Sequence, residues 1–133
     1  MAKITNSAFF PAGTISIGTD EYTAAVTGCT LTPTTPTAPI NDIGGGTTYA
    51  VGTPVWAVLL NFAQDLITAS SLSQFLIANV GQIKPISFKP QAGSTSKGFT
   101  VQAVILPAPV GGAGAAVAMS SVTLPVNGQP VIA

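Results

Sequence analysis

The chain has no histidine and no arginine, and only four lysines and four carboxylates among its 133 residues. Each scarcity removes a class of function. Serine and threonine are plentiful, but without histidine their hydroxyls lack the usual general base, so triad-type nucleophilic chemistry has no basis here. One cysteine and carboxylates scattered at Asp20, Glu21, Asp42 and Asp65 give no ligand spacing for a metal. Adjacent Asp20 and Glu21 read as a solvated corner rather than an acid/base pair. Lys3, Lys84, Lys89 and Lys97 are too separated to form a basic patch, and the net charge is zero, which argues against sequence-reading nucleic-acid binding.

Cys29 has no partner for an internal disulfide, so the fold does not depend on an oxidising compartment. Its place in an alternating apolar segment fits a buried small hydrophobe better than a reactive thiol. Continuous apolar cores such as Val55–Leu60 fall far short of the about 20 residues a membrane helix needs, and no membrane insertion is expected. The start of the chain carries Lys3 but runs into Phe9, Phe10 and Pro11 without an apolar stretch of leader length, so no secretory signal is expected. Gly44–Gly46 and Gly111–Gly112 lack the lysine and the following helix of a phosphate loop and read as turns. No catalytic, metal-ligating or cofactor-binding residue is assigned, no cofactor is expected, and an enzyme is disfavoured by missing parts.

What remains is an uncharged surface. Only 6% of residues are charged, against about 25% in an ordinary soluble domain. A compact monomer of 13.3 kDa exposes about 6,500 Å². Four neighbours, each covering a standard patch of roughly 800 Å², would hide about half of it. A subunit with neighbours on both sides, above and below has four such contacts. The competing reading is a freely soluble β domain whose polar face is made of Thr, Ser, Gly, Asn and Gln, since patch size rather than hydropathy decides stickiness.

The length suits one domain over residues 1–133. Strand patterns open the chain at Thr14–Gly18 and Tyr22–Thr32, with Gly28 breaking the period as a bulge would. Residues 33–53 follow as a long inter-strand loop: Pro33, Pro36 and Pro39 block a regular ladder, and Gly44–Gly46 supply hinges. Pro54–Phe62 is apolar on both faces and reads as a strand covered on two sides. The helix, at about 71–80, is signalled at both ends. Ser71 and Gln74 fit a capping box, Leu72, Phe75, Leu76 and Val80 form an apolar stripe, and Gly81 sits where a left-handed cap is wanted. Strands are expected at Gln82–Lys89, with Pro85 suiting an edge, and at Phe99–Leu106, joined by a polar turn over Pro90–Gly98. A last strand, about Ala115–Leu124, ends where Asn127–Gly128 turns the tail away. The fold class is mainly β: an antiparallel sandwich or barrel with one flanking helix.

From Trp56 onward the chain resembles the major tail proteins, or tail tube proteins, of long non-contractile-tailed bacteriophages. The resemblance rests on Trp56 in its apolar strand, Asn61–Asp65, the helical Ser70–Gly81, Phe88–Pro90, Ile105–Gly112 and the ending Val122–Pro130. It covers roughly the last three fifths of the chain. It implies a tail-tube-like β subunit that self-assembles into hexameric rings, stacked into a tube through which viral DNA passes without sequence-specific binding. The partners implied are further copies of itself and the tape measure, tail tip and tail terminator proteins. The place implied is the virion tail, with assembly in the host cytoplasm. In proteins of this kind a long loop between early strands reaches the adjacent ring, which marks Pro36, Ile40, Asp42, Ile43 and Tyr49 as inter-ring contacts. A neutral wall of Thr, Ser, Gln and Asn would let DNA slide, and one inward carboxylate among Asp20, Glu21 and Asp65 would repeat as a negative girdle. A capsid decoration or head-tail joining protein is the alternative within the same class. A carbohydrate-binding or adhesion β-sandwich is the alternative outside it.

Overall fold

The computed structural model describes residues 1–6, 13–90 and 97–132. Seven strands form one antiparallel sheet: β1 (Thr14–Ile17), β2 (Asp20–Glu21), β3 (Val26–Thr34), β6 (Val55–Ala63), β7 (Ile83–Lys89), β8 (Phe99–Val104) and β9 (Met119–Ile132), in the order β2-β1-β7-β8-β9-β6-β3. Two more, β4 (Thr37–Asn41) and β5 (Thr47–Val51), pair only with each other. The single helix among the described residues is α1 (Leu72–Ala78). The mainly β, antiparallel architecture with one flanking helix is thus as expected from the sequence.

Alternation puts every second side chain of the sheet on one face. Ile15 and Ile17 of β1, Val58, Leu60 and Phe62 of β6, Ile86 of β7, Val101 and Ala103 of β8, and Val122, Leu124 and Val126 of β9 are all buried in one cluster. Strands near opposite ends of the sheet share that cluster, and Ile15 of β1 and Cys29 of β3 line one cavity. The sheet is therefore curled into an open barrel, whose interior α1 closes with Leu72 and Leu76. Tyr22 seals the same end: its ring lies 5.8 Å from that of Phe75, and its hydroxyl donates to the Ser70 carbonyl at 3.2 Å.

Several expectations are corrected by physical detail. Residues 33–53 are not an irregular loop: β3 runs on to Thr34, and β4 and β5 form a hairpin. Pro33 lies on an edge strand, where a missing donor is tolerated. The bonds Gly52 N–H to Pro36 C=O at 2.8 Å and Asp42 N–H to Gly46 C=O at 3.0 Å set the phase of the hairpin ladder. Pro39, opposite Tyr49, falls between bonded pairs, so its ring nitrogen faces outward. Pro85 is not on an edge: β7 lies between β1 and β8. Its carbonyl accepts from Gly18 N–H at 2.8 Å, so its ring nitrogen also faces Gly18, just beyond the end of β1, and the missing donor falls where that ladder ends.

The last strand is longer than expected. Asn127–Gly128 does not end it but forms a bulge: Gln102 pairs with Asn127 and Thr100 with Val131, so five residues of β9 span three of β8. Gly128, at φ 86°, takes the left-handed conformation the bulge requires. The expected bulge near Gly28 is present as a register shift between Val26 and Gly28. The expected turn after Pro90 falls mostly at 91–96, outside the described residues.

The helix is shorter than expected, and only half of its capping box forms. Gln74 N–H donates to the Ser71 hydroxyl at 3.4 Å, but the Gln74 side chain donates to the Leu66 carbonyl at 2.6 Å. Asn79 caps the C-terminus, with Gly81 two residues beyond at φ 83°, and Val80 is exposed rather than part of the stripe. Seven residues do not hold a helix alone. Leu76, fully buried, anchors it, and Leu76→Ala should lower stability by about 2–5 kcal/mol in denaturant unfolding. A change near zero would mean that the stripe does not pack as described.

Candidate assembly surfaces

Each strand of a two-stranded ribbon needs something to pack on, since an isolated hairpin is marginal in water. Every residue of β4 and β5 is exposed. Val51, Pro39 and Tyr49 share one face of the hairpin, while Ala38, Ala50 and Ile40 share the other. The turn between the strands is held by Asp42, whose backbone carbonyl accepts from Gly45 N–H at 3.2 Å and whose carboxylate accepts from Gly46 N–H at 2.8 Å. Gly45, at φ 87°, lets the turn close tightly. Ile43 is left as the one bulky side chain of the tip, fully exposed.

The five residues expected as contacts are all placed on this element. Pro36 lies at its root, Ile40 on β4, Asp42 and Ile43 at the tip, and Tyr49 on β5. The Asp42 carboxylate is occupied by its own turn, which makes it a scaffold for Ile43. Val51, missed in the sequence reading, lies beside Tyr49. Its signal was the alternation of Tyr49 and Val51 with small and polar residues.

A second surface lies at the far end of β6. The hairpin leaves the sheet where Thr34 pairs with Val55, and the opposite end of the same strand is marked by Ala63 pairing with Met119. Between them β6 spans roughly 27 Å. At that far end Gln64 ties two loops together: its side chain donates to the carbonyls of Gly111 at 2.8 Å and Met119 at 2.9 Å and accepts from Gly111 N–H at 2.9 Å. Asp65 folds the next loop, accepting from Ile67 N–H at 2.9 Å and Thr68 N–H at 3.1 Å. The Thr68 side chain first, then the Thr68 and Ile67 N–H groups, hold its carboxyl below the ordinary carboxylate value by hydrogen bonding to the charged form. With its backbone so occupied, the loop turns Leu66 and Ile67 outward. Ile67 is 96% exposed. Both line a cavity of about 360 Å³ with Val110, Gly111 and Ala118, and exposed Val117 and Met119 flank it in sequence. The sequence reading missed this surface; the pair Leu66–Ile67 in an otherwise polar loop was its only signal.

The sheet itself offers a third. On its outer face Thr30, Leu59 and Thr123 form one row and Asn61 and Ser121 part of the next, with Gln102 and Asn127 paired nearby. The reading of β6 as covered on both faces is corrected here: Val55 and Leu59 are exposed, so within the chain only one face is buried. Asp20 and Glu21 are exposed at the β2 edge, and Asp65 lies at the far end of β6. The opposite edge, β3, is nine residues long with its outer backbone groups unpaired by any described strand.

Among the described residues no three His, Cys, Asp or Glu side chains gather, and no helix is long and apolar enough to cross a membrane. Cys29 is half-buried, and burial pushes its thiol up to about 12, so it stays protonated and packs as a small hydrophobe. The total surface is 8711 Å², exceeding the about 6,500 Å² of a compact monomer by more than two standard patches.

No protein-family model matches the sequence, and no curated protein is similar to it in sequence. Solved structures are similar in fold. A chain of the PVC sheath-tube complex of an extracellular contractile injection system, in the extended state, superposes with a TM-score of 0.67 at 13% identity, covering 92% of this chain and 88% of that one. A chain of the anti-feeding prophage cap, which terminates the tube, gives 0.64 at 16% identity, covering 99% and 95%. A chain of the PVC sheath/tube terminator gives 0.63 at 14% identity, covering 100% and 99%. The fold is therefore that of proteins from tube and tube-terminator assemblies. The likeness is to contractile systems and does not single out the long non-contractile tails that the sequence suggested.

The lowered Asp65 carboxyl has a testable consequence. Its contribution to holding residues 65–68 is complete above the ordinary carboxylate value near 3.9 and is lost as pH falls through the lower folded value. In an NMR titration the Ile67 and Thr68 amide signals should move together with a midpoint below that of a free aspartate. A midpoint at or above the free value would contradict the loop geometry.

Proposed function

We propose that this chain is a non-enzymatic subunit of a tail tube, acting as one unit over residues 1–133. Copies of it stand in rings, hexameric in this reading, and the rings stack around a lumen that passes DNA without reading it. The observation that carries the reading is the β4–β5 hairpin: a ribbon with no packing partner among the described residues, on a fold matched nearly from end to end by chains of tube and terminator assemblies. In this role Pro36, Ile40, Asp42, Ile43 and Tyr49 belong to the contact between rings. The unpaired β3 edge is the lateral contact, closing the sheet around the ring as a barrel closes its edges. The neutral outer rows of Thr, Ser, Asn and Gln suit a wall on which a polyanion slides, because few cations are present to release counterions from it. The tape measure, tail tip and terminator proteins are the further partners, in a tail assembled in the host cytoplasm.

A second reading, favoured by the near-complete coverage of the two terminating proteins, is a ring that ends the tube. Copy number separates them: a tube subunit is present in many rings per particle, a terminator in one. A capsid decoration protein or a glycan-binding domain has no comparable support in the fold.

Removing residues 40–46 should leave the melting transition of the sheet nearly unchanged, since the hairpin contributes nothing to the buried cluster. The same deletion should abolish stacked rings or tubes in negative-stain images of assembled particles. Tubes of normal length from the deleted chain would refute the hairpin as the stacking element.

A further inference from the structure

We infer that the apolar end of β6 is the receptor for the hairpin tip of a second copy of this chain, with Ile43 of one copy seated in the cavity lined by Leu66, Ile67, Val110 and Ala118 of the next. This rests on the tube reading and names the counterpart of its inter-ring element. Four observations select a second copy as the occupant.

The first is position. Knob and cavity lie at opposite ends of the same strand: the hairpin departs beyond Thr34 and Val55, and the cavity opens beyond Ala63 and Met119. A nine-residue strand of roughly 27 Å separates the root of the hairpin from the cavity, so the tip does not reach its own cavity while β6 stays in the sheet. Patches at opposite ends that complement one another make a heterologous contact, which repeats from copy to copy instead of closing in a pair.

The second is shape. Ile43 is followed by Gly44, Gly45 and Gly46, so one branched aliphatic group projects from a narrow turn. The cavity, at about 360 Å³, is larger than the roughly 150 Å³ that holds a benzene-sized molecule, and it has room for that group.

The third is charge. Each surface carries one carboxylate, Asp42 on the tip and Asp65 beside the cavity, and each is bonded to backbone N–H groups of its own loop. The Gln64 amide, the main polar side chain at the cavity, is likewise occupied by Gly111 and Met119. What the two surfaces present to each other is aliphatic.

The fourth is area. The chain exposes 8711 Å², about 2,200 Å² more than a compact monomer of its mass. A contact between hairpin and far end removes exposed aliphatic groups from both sides at once.

Bis-maleimide cross-linking of the full chain, in a Cys29→Ser background, tests this. A mixture of Ile43→Cys and Ile67→Cys proteins should give covalent dimers, and the double variant Ile43→Cys/Ile67→Cys should give a ladder of dimers, trimers and longer products. A mixture of Ile43→Cys with Gln102→Cys, on the outer sheet face, should give about tenfold less product, as expected where no site raises the effective concentration. Thermal melts of each variant confirm that the sheet is folded. Efficient dimers of Ile43→Cys alone would mean that tip meets tip, and would overturn the inference. So would a pair that fails to cross-link although deletion of 40–46 abolishes stacking; the tube reading would then stand with a different receptor. If the deletion leaves stacking intact, the tube reading of the hairpin fails first.

Discussion

The structure depends on β6 being buried on one face only. Val58, Leu60 and Phe62 point into the barrel and meet β9, β8 and α1, and this inward row gathers the buried cluster. β6 is paired along both edges, with β3 and with β9, so it fixes the register of the strands on either side. On its outward row Val55 and Leu59 are exposed and Ala57 is half-buried. One strand thus both organises the monomer and leaves it incomplete. The hairpin at one end of β6 and the aliphatic loops at the other continue the same asymmetry along the strand axis.

Scarcity of charge gives this arrangement its meaning. An exposed aliphatic residue is ordinary on a protein surface. Five of them at one end of a barrel, and three with a tyrosine on a ribbon at the other, are a different matter in a chain with four lysines and no arginine. The two carboxylates that lie there serve as local backbone scaffolds. Charges that in most proteins discourage association here shape the loops that present Ile43, Leu66 and Ile67.

Much of the fold was legible in the sequence where one signal acted alone. The alternation in Phe99–Val104 and the serine and leucines of the helix gave elements within a few residues of those observed. Legibility failed where local chemistry has two uses. Asn127–Gly128 has turn chemistry, but a left-handed glycine serves a bulge equally well, and pairing with β8 resumes beyond it at Val131. Pro33, Pro36 and Pro39 read as ladder breakers, yet Pro33 lies on an edge strand, the Pro39 nitrogen faces outward from the ribbon, and Pro36 precedes β4, where only its carbonyl is used. Gln74 has the right spacing for a capping box, but the Leu66 carbonyl is a competing partner that only the folded loop brings near. The five residues expected as contacts come from one stretch of sequence, and their shared place on the hairpin follows from that adjacency. The surface at the other end of β6 was hidden because Leu66, Ile67, Val110 and Met119 converge only through the Gln64 bonds, which cross 47 and 55 positions.

The root of the hairpin has a mechanical consequence. Trp56 donates from its indole nitrogen to the Gln129 amide oxygen at 2.9 Å, and Gln129 donates in turn to the Pro54 carbonyl at 3.0 Å. The bulge at Gly128 places Gln129 for this, so the late part of β9 is stitched to the point where the ribbon leaves the barrel. Tension applied along the ribbon therefore enters the sheet parallel to the strands. It strains the rungs of β3, β6 and β9 together in shear, where peeling would break them one after another. A bulge late in β9 thus ties the last strand to the point where load on the ribbon enters the barrel.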